Sequence, residues 1–288
     1  MKICRYTLNT DKAATPRVGV VEDDGIHDVT KVTEALPPLR WPVPLGDQLI
    51  ANLSDLRPRM ADLARSEPAI GLDAVSLLSP VANPSKFVCG AGNWNHMGAP
   101  FGMIGFMGKA PTALAGPGAG LQIRWPDRTT VHEPELAIII GKRIDRPVSQ
   151  DEALGYVAGY ACAFDSTLKP EREDWAFCKS FDTYGTLGPW LVTADEIPDP
   201  SELSYKFWVD DDLRGERDFA DLTGSPAEMI AFASTSMTLY PGDLILSGAA
   251  DVGPVLPGET MTIEIPRIGR MSVKVVTAEH ARSKPWGA

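Results

Sequence analysis

Two glutamates, Glu133 and Glu135, stand one residue apart in "VHEPELAIII", and an apolar run follows them. Side chains alternate along a strand, so both carboxylates leave the same face of a segment headed for the core. A second apolar run, "YVAGYACAF", ends abruptly at Asp165. Three carboxylates at the edges of apolar strands repel one another unless a cation lies among them. Hard oxygen ligands suit Mg2+, with Mn2+ or Ca2+ as alternatives. Three such ligands leave positions open for water and a chelating substrate. The competing reading of the glutamate pair is a strand entrance carrying two solvated acids. His132 precedes the pair and points to the opposite face, as a packing residue or a support behind the ligands rather than a ligand.

Three further stretches carry chemistry-bearing side chains. "GAGNWNHMGAP" is a glycine-flanked loop with His96, a candidate general base. "FMGKAPTALAGPG" sets Lys109 before a second Gly/Pro loop, and "DWAFCKSFDTYGTLGPW" sets Lys179 and Asp182 among aromatics and glycines. Each lysine reads equally well as a solvated surface charge.

The chain has 288 residues, 44% hydrophobic and 23% charged, enough for one large domain or one large and one small. Net charge is −11 and no basic stripe is visible, which argues against nucleic acid and anionic membranes as partners. No apolar run approaches a membrane span, and "MKICRYTLNT" lacks a signal-peptide core, so the expected location is cytoplasmic. Cys4, Cys89, Cys162 and Cys178 are far apart in apolar company, which suits buried reduced thiols.

The elements that must position these residues fall into two parts. Residues 1–80 are mixed: two short strands around an Asp-Asp-Gly turn in "RVGVVEDDGIHDVT", a proline-broken stretch, and a helix over "SDLRPRMADLARSE". Residues 81–288 turn to short apolar strands separated by Gly and Pro. Two helix starts are marked there, by Ser149 with Glu152 and by Ser225, Pro226 and Glu228. "TMTIEIPRIGRMSVKVV" alternates on both sides of a turn, as a hairpin does. No regular strand–helix alternation is present, so the class is α+β and β-rich rather than doubly wound.

With these residues in view, the chain resembles the fumarylacetoacetate hydrolase family. "NWNH" resembles its Asn-Tyr-x-x-His loop, "HEPELAIIIGKR" its Glu-x-Glu-Leu metal strand, and "VAGYACAFDSTLKPERED" the segment ending in the third metal carboxylate. "KSFDTYGTLGPWLVTADEIPDP" resembles its Lys-Ser-Phe-Asp stretch, and "LYPGDLILSGAADVG" its Pro-Gly-Asp turn and Thr-Gly-Thr-Pro loop. The matches run in the family's order over about residues 80 to 276. The resemblance implies a mixed β-sandwich or roll as catalytic domain, a small N-terminal α/β domain, and a homodimer. It implies Mg2+ held by Glu133, Glu135 and Asp165, and a 2-oxo acid or 1,3-dicarbonyl substrate. Lys179 would hold the substrate's carboxylate or enolate. Lys109, Tyr160, Lys169, Arg172 and Ser247 are the expected substrate contacts.

The chain also departs from the family pattern. Where many members carry a glutamate to partner the loop histidine, this sequence has Ala99. Lys169 and Arg172 replace the family's Arg and Gln, and Ser247, Gly248, Ala249 and Ala250 replace Thr-Gly-Thr-Pro. Three functions follow as expectations. The first is a Mg2+-dependent hydrolase of an acylpyruvate-like 2,4-dioxo acid, with His96 as base. The second is a decarboxylase, hydratase or isomerase of a 2-oxo acid at the same site. The third, a binding protein without turnover, sits poorly with a charged cluster that costs stability if unused.

Overall fold

A computed structural model describes residues 1–23, 25–98 and 100–282. Among the described residues the largest element is a twelve-stranded sheet. At its centre the strand Pro134–Ile140 lies between Val157–Asp165 and Leu244–Leu246, antiparallel to both. Alternation decides what each face meets. Leu136, Ile138 and Ile140 join one core cluster with Phe207, Ile263 and Val273 of a five-stranded sheet. Ala137 and Ile139 join the other, with Ala161, Ala163, and Leu53, Leu56 and Met60 of the helix Leu53–Ser66. Both faces of the strand are dry, which is why its sequence is apolar without a break.

The fold is therefore α+β and strand-rich: a sheet packed on a sheet, with the helix Leu53–Ser66 on the outer face of the larger one and the helix Pro226–Ser234 contributing Met229, Ile230 and Ala233 to the cluster shared by the two sheets. A small third sheet, Thr167–Leu168, Thr130–His132 and Gly253–Val255, adjoins the point where the carboxylates emerge. The strands Thr260–Ile265 and Gly269–Thr277 form the expected hairpin, with Thr262 opposite Ser272. Ser149 and Ser225 both close full capping boxes with Glu152 and Glu228.

The first 80 residues have a small cluster of their own, Cys4, Tyr6, Val21, Ile26 and Val75, and also share strands and core with the rest. Lys2–Leu8 pairs antiparallel with Gly185–Thr193, Lys2 opposite Val192, so the N-terminal strands extend the same sheet. Ile3, Val18 and Val20 share a core cluster with Ala137, Leu187 and Leu246. Strand pairing thus joins residues from both sides of the composition change at residue 80 in one sheet. The strands Arg17–Glu22 and Gly25–Asp28 pair as expected, while Asp24 of their turn lies outside the described residues. Among the described residues, no helix is long and apolar enough to cross a membrane.

Candidate metal centre

Antiparallel pairing brings the start of one central strand to the end of the next. Glu135 lies opposite Ala163, and the Asp165 N–H donates to the Glu133 carbonyl at 2.9 Å. Glu133 and Glu135 are in phase with Ala137, and Asp165 with Ala163, so all three carboxylates leave the same face. Their ligand atoms lie within 4.8 Å of one another. All three residues are buried, Glu135 and Asp165 completely.

Both expected lysines are buried with them and are not surface charges. Lys179 Nζ donates to Glu133 Oε2 at 2.8 Å, Asp165 Oδ2 at 2.7 Å and Thr167 Oγ1 at 2.9 Å. Lys109 Nζ donates to Asp165 Oδ1 and to the Ser166 carbonyl, the latter at 3.2 Å. Burial alone pushes the Asp165 carboxyl up, but the Lys109 and Lys179 ammonium groups more than reverse this and hold it below the ordinary range. Among the described residues, Glu135 has no ammonium hydrogen-bonded to it. Burial, then the charges of Asp165 and Glu133, push its carboxyl well up, and the charge of Lys179 lowers it only in part. Glu133 is raised by the same burial and by Asp165.

Three carboxylates face two ammonium groups, which leaves one negative charge uncompensated in a dry site. Glu135 shows where the deficit lies. Its Oε2 accepts the Gly248 N–H, while its buried Oε1 has no partner. An orphaned carboxylate oxygen amid hard oxygen donors fits a divalent cation. The cluster opens on a cavity of about 220 Å3 walled by Cys89, Met97, Met107, Trp175 and Val252. The donor set is thus both cation-deficient and accessible.

The remaining expected residues divide sharply. Ser247 is buried beside the cluster, but its hydroxyl accepts the Leu136 N–H at 3.1 Å and ties two strands together. Tyr160 is not in the site. It lies five residues before Asp165, on the opposite face, and is buried between the two sheets. Lys169 and Arg172 are exposed on the loop after the small sheet, and neither lines the cavity. Asp182 is exposed and accepts from Arg124 at 3.2 Å. His96 is exposed on the short turn Asn95–Met97, where its neighbour Met97, not the imidazole, lines the cavity. Ala99 lies outside the described residues. His132 occupies the opposite face, its ring 4.4 Å from that of Phe207. Burial, then the charge of Arg214, lowers it to about 4, so it packs as a neutral ring. All four cysteines are free and buried.

Asn93, Trp94 and Thr167 carry a weaker signal in the sequence. The Asn93 side chain donates to Gly224 and Ser247 carbonyls at 3.0 and 2.9 Å and accepts the Gly224 N–H at 2.7 Å. Trp94 Nε1 donates to the Gly248 carbonyl at 2.8 Å. These two residues bolt the base of the histidine loop to the strand end beside Glu135. Thr167 was findable by the rule that paired the glutamates, since it lies two positions beyond Asp165 on the same face.

The model of the fumarylacetoacetate (FAA) hydrolase C-terminal domain matches residues 87–276, which include every residue of this cluster. The chain belongs to the fumarylacetoacetate hydrolase family. A relative within it is the maleylpyruvate hydrolase of Aquipseudomonas alcaligenes, 41% identical over 96% of this chain and 99% of that one. An oxaloacetate tautomerase of Xenopus laevis is 30% identical over 93% of this chain and 89% of that one. Among solved structures, the maleylpyruvate hydrolase of Sphingobium sp. SYK-6, in complex with manganese(II) and pyruvate, superposes with a TM-score of 0.82. It is 36% identical and covers 97% of this chain and 100% of its own.

Proposed function

We propose that this family member is a metal-dependent hydrolase that cleaves a C–C bond in an acylpyruvate-like 2,4-dioxo acid. The observation that carries the reading is the buried carboxylate cluster with its orphaned Glu135 oxygen, open to a cavity that also receives Lys179. The 41% identity to a maleylpyruvate hydrolase supports it, as does the related structure with manganese(II) and pyruvate. Glu133, Glu135 and Asp165 would hold Mg2+ or Mn2+, which supplies Lewis-acid polarisation of the substrate's oxo and carboxylate oxygens.

The chain's own residues do the rest. Lys179 presents a buried ammonium where negative charge develops on the 2-oxo acid product, and a preorganised charge in a dry site needs no reorganisation during reaction. Met97, Met107, Trp175 and Val252 supply an apolar wall for the acyl portion. His96 is the base for the attacking water, brought to the cavity by movement of its loop about the anchored Asn93 and Trp94. Water then adds across the cleaved bond, giving a carboxylic acid and pyruvate. A homodimer in the cytoplasm acting on a small 2-oxo acid completes the proposal.

A second reading rests on His96 itself. Its side chain stands outside the cavity, and decarboxylation or tautomerisation of a 2-oxo acid needs enolisation without an activated water. The experiment is product analysis on purified protein with Mg2+ or Mn2+, using a panel of acylpyruvates, maleylpyruvate among them, and oxaloacetate. For a hydrolase, His96→Ala lowers kcat by roughly 10²–10⁴-fold and leaves metal affinity unchanged. Oxaloacetate decarboxylation survives in part. Absence of hydrolysis across the panel in the unmodified protein transfers the assignment to the second reading.

A further inference from the structure

We infer that Thr167 is a positioning residue, which sets both a metal-site carboxylate and the site lysine through one hydroxyl. It rests on the proposed function for its kinetic part only. Thr167 is completely buried on the short strand Thr167–Leu168, which pairs Thr167 with Val131. Its Oγ1 lies 2.7 Å from Glu133 Oε1 and 2.9 Å from Lys179 Nζ.

The direction of these bonds follows from the groups. An ammonium has protons and no lone pair, so Lys179 must donate to the hydroxyl. A hydroxyl has one proton, and ionised Glu133 has only acceptor sites, so that proton goes to Glu133 Oε1. The Asp165 carbonyl, 3.3 Å away, is left without it. A directed relay therefore runs from Lys179 through Thr167 to Glu133.

Two consequences follow. The oxygens of Glu133 become unequal, with Oε1 on the hydroxyl and Oε2 on the ammonium at 2.8 Å. The carboxylate plane is thereby fixed. Lys179 has its three protons directed at Glu133, Asp165 and Thr167, so its ammonium cannot rotate without losing a partner. The β-branch of threonine holds the hydroxyl at one χ1, which serine does less firmly. Thr167 touches no reacting atom and offers no metal ligand of its own. It acts through Glu133 and Lys179.

The test compares Thr167→Val, of the same shape without the hydroxyl, with Thr167→Ser, which keeps it; Thr167→Ala serves if the valine variant does not fold. Expected is a kcat lowered about 10- to 100-fold in the valine variant, with KM within a few-fold and serine restoring most of the rate. Mn2+ affinity of the substrate-free protein, by calorimetry, falls roughly 10-fold with valine and recovers with serine. A purely structural threonine would lower melting temperature in both variants and leave kcat per folded site unchanged. The inference is overturned if kcat and Mn2+ affinity both stay within about twofold of the unmodified protein, or if serine is no better than valine. If the unmodified protein hydrolyses nothing, the proposed function fails but calorimetry still decides. Affinity lost with valine and regained with serine supports the relay, and unchanged affinity removes it.

Discussion

The strand Leu244–Leu246 has a completely buried aspartate at one end and a completely buried glutamate beside the other. Asp243, at its start, is saturated. Its Oδ1 accepts the Ser85 N–H and hydroxyl, each at 2.7 Å, and the Lys86 N–H at 2.8 Å. Its Oδ2 accepts the Tyr240 N–H at 2.8 Å, with Lys86 Nζ at 3.5 Å. Glu135, beside its far end, accepts one backbone N–H and leaves an oxygen bare. Burial and formal charge are the same at both ends. What separates a structural carboxylate from a ligand is whether the protein itself completes its hydrogen bonds. Asp243 is folded around, whereas Glu135 is held ready for something the chain does not supply.

The largest effect expected from that contrast is on turnover. Glu135→Gln should lower the metal-dependent rate on the order of 10³-fold, the equivalent of several kcal/mol of lost charge stabilisation. It should not unfold the chain, since it removes one of three mutually repelling charges. A variant that keeps its metal-dependent rate would break the comparison at its functional end.

Asp243→Ala reverses the pattern. It strands several N–H donors and a buried-side lysine contact, so it should cost about 3 kcal/mol of stability. Its kcat, measured per folded molecule at low temperature, should be unchanged. Loss of rate in a fully folded Asp243 variant would mean that the two ends of the strand are coupled.

Metal binding gives a smaller and more direct reading. Metal at about 100 times its dissociation constant should stabilise the protein by roughly 2.7 kcal/mol. Thermal melts should show the increment intact in Asp243→Ala and absent in Glu135→Gln. An undiminished metal-induced rise in the glutamate variant would contradict the assignment of the ligands.

The carboxylate cluster was legible in the sequence because its cause is local. The spacing of Glu133 and Glu135 and the end of an apolar run at Asp165 need only the period of a strand. The same period places His132 on the opposite face, and would have excluded Tyr160 had it been counted back from Asp165. The partners of the lysines were not legible. Lys109 reaches Asp165 across 56 residues of chain, and nothing near it announces that contact. The same holds for the N-terminal strand, whose pairing of Lys2 with Val192 depends on the whole sheet. Lys169 and Arg172 kept the charge that the family pattern led one to expect, but sequence carries no measure of exposure.

The smallest expected effect completes the comparison with a third kind of carboxylate. Glu216 Oε1 lies 3.2 Å from Lys206 Nζ, with both side chains more than half exposed at 57% and 54%. Lys179 and Glu133 are 2.8 Å apart. Distance therefore hardly distinguishes the two pairs, and a list of ion pairs would rank them together. Solvation does distinguish them. Water at the surface pair screens the attraction and replaces either partner when it is removed, while side-chain ordering offsets part of the gain. Glu216→Gln should thus change stability by no more than about 0.5 kcal/mol, leave turnover intact, and become undetectable at high salt. A double-mutant cycle with Lys206→Met isolates the pair. A coupling above about 1 kcal/mol would exceed what exposed pairs give, and the ordering of carboxylates by how completely the protein satisfies them, rather than by how near a cation lies, would then fail at its weakest member.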